Sequence, residues 1–172
     1  NTAGNGAQGS AGTFTFGAGT AITSPTGHAF NLTDSTANVT YGGTITNANP
    51  SAAVTDSNHT GTVTSDGAVG ATNGTGLQFS NADGTYDFNG QVTLNGGDAG
   101  VDILAGSAGT FTFDSTSNVI THNNAGDAFV VDGAPGTPTN ANVTWNGNIT
   151  DNNGNAVNID EHDAGTITFQ TG

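Results

Sequence analysis

Apolar and hydroxyl side chains alternate in Gly109-Thr110-Phe111-Thr112-Phe113, with a glycine in front. Alternation with a period of two is the pattern of a strand that buries one face and shows the other to water. The phrase recurs as Gly12-Thr13-Phe14-Thr15-Phe16, Gly61-Thr62-Val63-Thr64 and Gly165-Thr166-Ile167-Thr168-Phe169. Gly43-Thr44-Ile45-Thr46 and Gly147-Asn148-Ile149-Thr150 are further copies, and Gly90-Gln91-Val92-Thr93 a looser one. One strand type used repeatedly predicts a repeat architecture.

A second strand type opens with Ala29-Phe30-Asn31-Leu32-Thr33-Asp34. Its copies begin at Phe30, Val54, Phe79, Ile103, Phe129 and Val157, at steps of 24, 25, 24, 26 and 28 residues. A period in the low to middle twenties suits one coil of a parallel β-helix: three short strands joined by turns, each coil lying about 4.8 Å from the next. The predicted fold is therefore all-β, a parallel β-helix (β-solenoid) of about six to seven coils and a core roughly 30 Å long. In this register the six starting residues form one inward column. A β-sandwich or jelly roll is the alternative, since many short strands split by Gly and Asn also fit it. Three nearly equal steps in succession favour the solenoid. No apolar period of 3.6 residues appears, so no helix is predicted.

The same pattern sets the expected organisation. Residues 1–11 are Asn, Thr, Ala, Gly, Gln and Ser with nothing to bury, and read as a flexible or neighbour-ordered arm. Residues 12–172 read as one solenoid domain. Pro135 and Pro138 interrupt it between Asp132 and Asn140. Proline cannot donate to a β-ladder, so 132–140 is predicted to loop outward.

Composition narrows the function classes. The chain has no Lys and no Arg against 14 acidic residues, and only 8% of its residues are charged. Binding to a nucleic-acid backbone needs basic side chains, so nucleic acid is not an expected partner. Anionic membrane surfaces are disfavoured for the same reason, and no apolar stretch approaches the length of a membrane span. With no cysteine in the chain, disulfides and thiolate metal sites are excluded. A surface of Asn, Thr, Gly and Asp, offering nothing to proteases that cut after Lys or Arg, suits an extracellular or cell-surface protein. Asn1 is not a translation start; the chain reads as a mature form after signal removal or as an excised fragment.

The runs Asn38-Val39-Thr40-Tyr41-Gly42-Gly43-Thr44-Ile45-Thr46 and Ala108-Gly109-Thr110-Phe111-Thr112-Phe113 resemble the coils of secreted bacterial β-helix proteins, namely autotransporter passengers and filamentous-haemagglutinin-type adhesins. The resemblance spans about residues 12–169. It implies secretion and adhesive or structural work, and it transfers no catalytic residue.

Candidate chemistry is sparse. Paired carboxylates for glycoside hydrolysis exist only as Asp98 with Asp102, or as the run Asp160-Glu161-His162-Asp163, which reads as a solvated turn. His28, His59, His122 and His162 lack ligand-like spacing and read as exposed turn residues. No cofactor is expected, with calcium the one candidate ion. Gly97-Asp98-Ala99-Gly100-Val101-Asp102-Ile103-Leu104 approximates a calcium-binding β-roll repeat. Asp34, Asp56, Asp83, Asp132 and Asp160 each follow the second strand type and are predicted to line up near one corner, where a hard cation would relieve their repulsion. The expectation is a non-catalytic extracellular subunit, not an enzyme, that stacks head to tail on copies of itself. The alternative is an adhesin segment that binds glycans or another cell-surface partner through its Thr/Asn faces or the 132–140 loop.

Overall fold

The computed structural model describes residues 10–170. The expected arm over 1–11 therefore lies almost wholly outside the described residues. The described chain winds through nineteen short strands. The first coil holds β1 (Thr13–Phe16), β2 (Ala21–Thr23) and β3 (Phe30–Ser35). The second holds β4 (Asn38–Tyr41), β5 (Thr44–Asn47) and β6 (Val54–His59), and the third β7 (Thr62–Ser65), β8 (Val69–Ala71) and β9 (Gly76–Ala82). The fourth has β10 (Thr85–Phe88), β11 (Val92–Asn95) and β12 (Gly100–Leu104); the fifth has β13 (Thr110–Phe113), β14 (Val119–His122) and β15 (Phe129–Asp132). The last strands are β16 (Asn142–Asn146), β17 (Asn148–Asp151), β18 (Asn158–Asp160) and β19 (Ile167–Gln170).

Every third strand pairs with the strand one coil away, giving three sheets. The first runs β1-β4-β7-β10-β13-β16-β19, the second β2-β5-β8-β11-β14-β17 and the third β3-β6-β9-β12-β15-β18. All ladders between named strands are parallel. The chain is a β-solenoid of about seven turns with roughly 24 residues per coil. A sandwich would need antiparallel neighbours, so that alternative is set aside. There is no helix among the described residues, and so none long and apolar enough to cross a membrane.

The copies after Gly43, Gly90 and Gly147 enter the second sheet as β5, β11 and β17, and those after Gly12, Gly61, Gly109 and Gly165 enter the first sheet. The inward columns of the first sheet are Phe14, Val39, Val63, Tyr86, Phe111, Val143 and Ile167, and two residues on, Phe16, Tyr41, Ser65, Phe88, Phe113, Trp145 and Phe169. Rings stack along these columns: Tyr86 on Phe111 at 4.7 Å and 10°, Phe88 on Phe113 at 5.0 Å and 14°. Such pairs add about 0.5–1.5 kcal/mol beyond simple burial. The glycine before the strand is required by close stacking. A Cβ on Gly61, Gly84 or Gly109 would come within 2.1, 2.1 or 2.5 Å of a carbonyl oxygen in the coil beneath.

The third sheet corrects the predicted column. Phe30 pairs with Val54, then Leu77, Val101 and Phe129. Phe79 and Ile103 stand two residues further along, in the column of Leu32, Asp56, Val131 and Ile159. The register is pinned at the penultimate residue of β3, β6 and β9. Asp34, Asn58 and Asn81 all have left-handed backbone, with φ of 51°, 52° and 50°. Their side chains form a ladder, Asn58 Nδ2 donating to Asp34 Oδ1 at 2.8 Å and Asn81 Nδ2 to Asn58 Oδ1 at 2.9 Å. Asp and Asn tolerate this conformation best among residues with a Cβ.

After β15 the chain makes a small hairpin in which Ala134 and Thr137 exchange backbone hydrogen bonds of 3.1 and 2.8 Å. Pro135, Gly136 and Thr137 are exposed there, while Thr139 returns to the interior and bridges to His162. Thr110 pairs with Asn142, so this coil is 32 residues long where its neighbours keep near 24.

Candidate functional site

The solenoid scatters the aspartates that the sequence offers as calcium ligands. The predicted corner of Asp34, Asp56, Asp83, Asp132 and Asp160 does not form. Asp34 belongs to the left-handed Asn ladder, and Asp83 is exposed in the next turn, where it accepts the Ala108 N–H at 3.0 Å. Asp56 points into the core and is 2% exposed. Only Asp132 and Asp160 share a register position, on β15 and β18. Counted from the paired column residues Phe30, Val54, Leu77 and Phe129, Asp34, Asp56, Asp83 and Asp132 stand 4, 2, 6 and 3 residues on, so they take different positions in the coil. Asp98 lies exposed in the turn before β12, and Asp102 lies on the outer side of β12, where the Gln78 amide donates to its Oδ2. Among the described residues no three His, Asp or Glu side chains converge to hold a metal ion.

Two groupings do form, and each contains a histidine read from sequence as exposed. His59 and His122 are both fully buried; His28 is exposed and His162 half-buried. The parity of the strands carried the missed signal. His122 stands two residues after inward Ile120, and Asp56 two after inward Val54, so both share the inward face.

The first grouping is inside the core. His59 Nε2 lies 2.8 Å from the carbonyl of Ala37, which can only accept, so the proton is on Nε2 in the neutral ring. Nδ1 is then a lone pair. It faces the Tyr86 hydroxyl at 3.1 Å and Asp56 Oδ2 at 3.3 Å. Tyr86 OH also lies 3.2 Å from Asp56 Oδ1. A carboxylate oxygen facing a lone pair is repulsive, whereas a carboxylic acid donates into it. Burial pushes the Asp56 carboxyl up to about 7, against the lowering effect of the Tyr86 hydrogen bond. Burial likewise pushes His59 down, against its bond to Ala37. One proton shared between Oδ2 and Nδ1 satisfies both atoms without net charge. Desolvation first, then the Asp56 charge, raises the Tyr86 hydroxyl. The grouping is closed to solvent.

The second grouping sits at the corner between the second and third sheets. β14 delivers His122 to its centre. Nδ1 lies 3.0 Å from Asp151 Oδ2 of the following coil, and Nε2 lies 3.5 Å from Asp98 Oδ1 of the preceding coil. Asp151 Oδ1 accepts the N–H groups of Asn153 and Gly154, both at 2.9 Å. Desolvation pulls the Asp151 carboxyl upward, but these two bonds and His122 together hold it below its ordinary value. Asp102, close by, is pushed up to about 6: burial dominates, the Gln78 amide opposes it, and the charge of Asp98 adds to it. Asp127 contributes a further negative charge and accepts from Asn155 N, Asn155 Nδ2 and Asn158 Nδ2 at 3.0, 2.8 and 2.8 Å. Asn124 Nδ2 donates to the Gly97 carbonyl and, at 3.2 Å, to Asp98 Oδ1. This corner joins three successive coils through polar side chains and is open to solvent at Asp98.

No family model matches the chain, and neither the curated proteins nor the solved structures give a significant match.

Proposed function

We propose that the chain is a non-catalytic structural rod, extracellular, that extends by stacking its end coils on those of a second copy. The observation that carries this reading is where apolar surface is left uncovered. The exposed large hydrophobic residues are Phe14, Phe16, Val157, Ile159 and Phe169, at 37, 40, 38, 47 and 39% exposure. All belong to the first or last coils of the described chain. Uncovered apolar faces beside unpaired strand edges favour addition of another coil. β1 and β19 are the two edges of one sheet, and Phe16 and Phe169 end the same inward column. Laying β1 of a second copy on β19 would extend the column Phe88-Phe113-Trp145-Phe169 by one ring. A heterologous contact of this kind propagates instead of closing.

Sedimentation velocity and negative-stain microscopy at rising concentration test it. Rods lengthening in multiples of one subunit, and shortened to single units by Phe16→Asp or Phe169→Asp, are expected. A wild-type chain that stays monomeric at high concentration would end the reading.

A second reading, an adhesin face for glycans, is favoured by the outer side of the first sheet. Thr15, Thr40, Thr64, Thr112, Thr144 and Thr168 form one outward column, broken only by Asp87. This hydroxyl ladder suits neutral sugars, and binding on a glycan array lost in Thr112→Val/Thr144→Val would support it.

A further inference from the structure

We infer that His122 and Asp98 form the core of a binding site for a borderline divalent cation of the zinc class at the corner between the second and third sheets. Three observations converge on it. The first is an orphan. His122 is fully buried, and its Nε2 has no hydrogen-bond partner. A buried, unpaired imidazole nitrogen costs stability unless something occupies its lone pair. It faces Asp98 Oδ1 at 3.5 Å. Two ligands at ordinary zinc–nitrogen and zinc–oxygen distances, set at a tetrahedral angle, lie roughly 3.4 Å apart.

The second observation is the other ring nitrogen. Nδ1 is held by Asp151 Oδ2 at 3.0 Å, and that carboxylate is fixed in turn by the Asn153 and Gly154 N–H groups. A carboxylate holding the far nitrogen sets the tautomer that leaves Nε2 free as a ligand and raises its basicity.

The third is room. A Cβ placed on Gly126 would lie 2.7 Å from Asp98 Oδ1, 3.1 Å from Asn124 Oδ1 and 3.5 Å from His122 Cε1. A carboxylate, an amide oxygen and an imidazole thus border one small space that the missing side chain of Gly126 leaves open. Only two ionisable ligands meet there; Asn124 Oδ1 already accepts the Gly126 N–H at 2.7 Å, so water completes the coordination. The charge surroundings favour a cation: Asp98 and Asp151 flank His122, Asp102 feels the charges of Asp98 and Asp127, and the chain holds no Lys or Arg to neutralise them. The imidazole selects the metal. Calcium prefers an all-oxygen shell, whereas nitrogen with oxygen suits zinc and its neighbours. The ligands come from successive coils, so the ion would clamp them together.

The test is isothermal titration of Zn2+ into the full chain at pH 7 and fixed ionic strength, with thermal melts alongside. One site per chain and a raised melting temperature are expected, with affinity falling more than tenfold in His122→Gln, Asp98→Asn and Gly126→Ala. His28→Gln and His162→Gln should bind as wild type. Asp98 is exposed and Gly126 has ordinary backbone, so these two variants decide the matter even if His122→Gln fails to fold. Absence of Zn2+ binding, or wild-type affinity in both Asp98→Asn and Gly126→Ala, would overturn the site. Ca2+ binding as tightly as Zn2+, indifferent to all three substitutions, would show a diffuse acidic surface and overturn it equally.

Discussion

Nδ1 of His59 and Oδ2 of Asp56 stand 3.3 Å apart inside the solenoid, on the same strand and three residues apart. Burial raises the carboxyl and lowers the imidazole, so one proton between them keeps both neutral. Asp56 is raised from 3.8 to about 7, so its contribution to stability is full below about 4 and is lost as pH rises through about 7. His59 is lowered from 6.5, so its contribution is full above 6.5 and is lost as pH falls. Between about 4 and 6.5, as long as the folded histidine stays neutral, the unfolded chain carries one proton on the histidine and the folded chain one on the aspartate. The two slopes cancel there, and the pair adds no pH dependence. Asp56→Asn removes one slope only. Relative to wild type, its stability should fall as pH drops below about 7, at up to about 1.4 kcal/mol per pH unit. Urea melts of both proteins from pH 4 to 8 check this; subtraction removes the other acids. Parallel profiles would mean that the proton is not shared.

Strand parity predicts which substitutions the rod tolerates. Phe79 and Ile103 point inward and are 1% and 0% exposed. Phe79→Asp or Ile103→Asp buries an uncompensated carboxylate between coils and should cost more than about 4 kcal/mol. Thr62, on the outer side of β7, should accept Lys within about 0.5 kcal/mol. Chemical denaturation of the three variants gives the comparison, and equal losses would mean the register is wrong.

Trp145 is fully buried between Phe113 and Phe129, at ring distances of 5.2 and 5.5 Å, and its indole N–H has no partner. Trp145→Phe trades packing volume for relief of that orphan donor and should change stability by less than about 1.5 kcal/mol. Trp145→Ala leaves a cavity and should cost about 3–5 kcal/mol. A Phe variant as damaged as the Ala variant would show that the N–H is satisfied by water.

The left-handed positions give a backbone test. Asn58→Ala and Asn81→Ala each force a Cβ-bearing residue without a local polar side chain into φ near 50° and cut the amide ladder. A loss of about 1–2 kcal/mol is expected for each. Asn58→Gly restores the backbone freedom and should recover part of it. Equal stability for Ala and Gly at position 58 would place the whole effect in the ladder.

The repeat itself was legible in the chain. Thr/apolar alternation marks strands whose buried face is the same under any even shift, and glycine marks the close stacking of Gly61, Gly84 and Gly109. Steps near 24 residues then specify a coil of three short strands, which the parallel ladders show. The same invariance explains the error. Moving Phe79 and Ile103 by two residues keeps them inward, so alternation cannot detect the slip. The left-handed φ at Asp34, Asn58 and Asn81 sets the register, and an Asn or Asp in sequence does not announce its φ.

The polar groupings depended on tertiary structure for a related reason. Asp56 and Tyr86 are 30 residues apart, and Asp98, His122 and Asp151 come from three different coils. Inward parity alone offered His122 and Asp56 for burial, but not their partners. What the sequence determined by itself is the local, short-period part: strand, face, coil length and the absence of Lys and Arg. What only the folded solenoid decided is which residues of successive coils lie over one another, because that register is fixed at strand ends by backbone conformation and stacking. There a buried imidazole met a carboxylic acid in the core, and another was left with one nitrogen free beside Asp98.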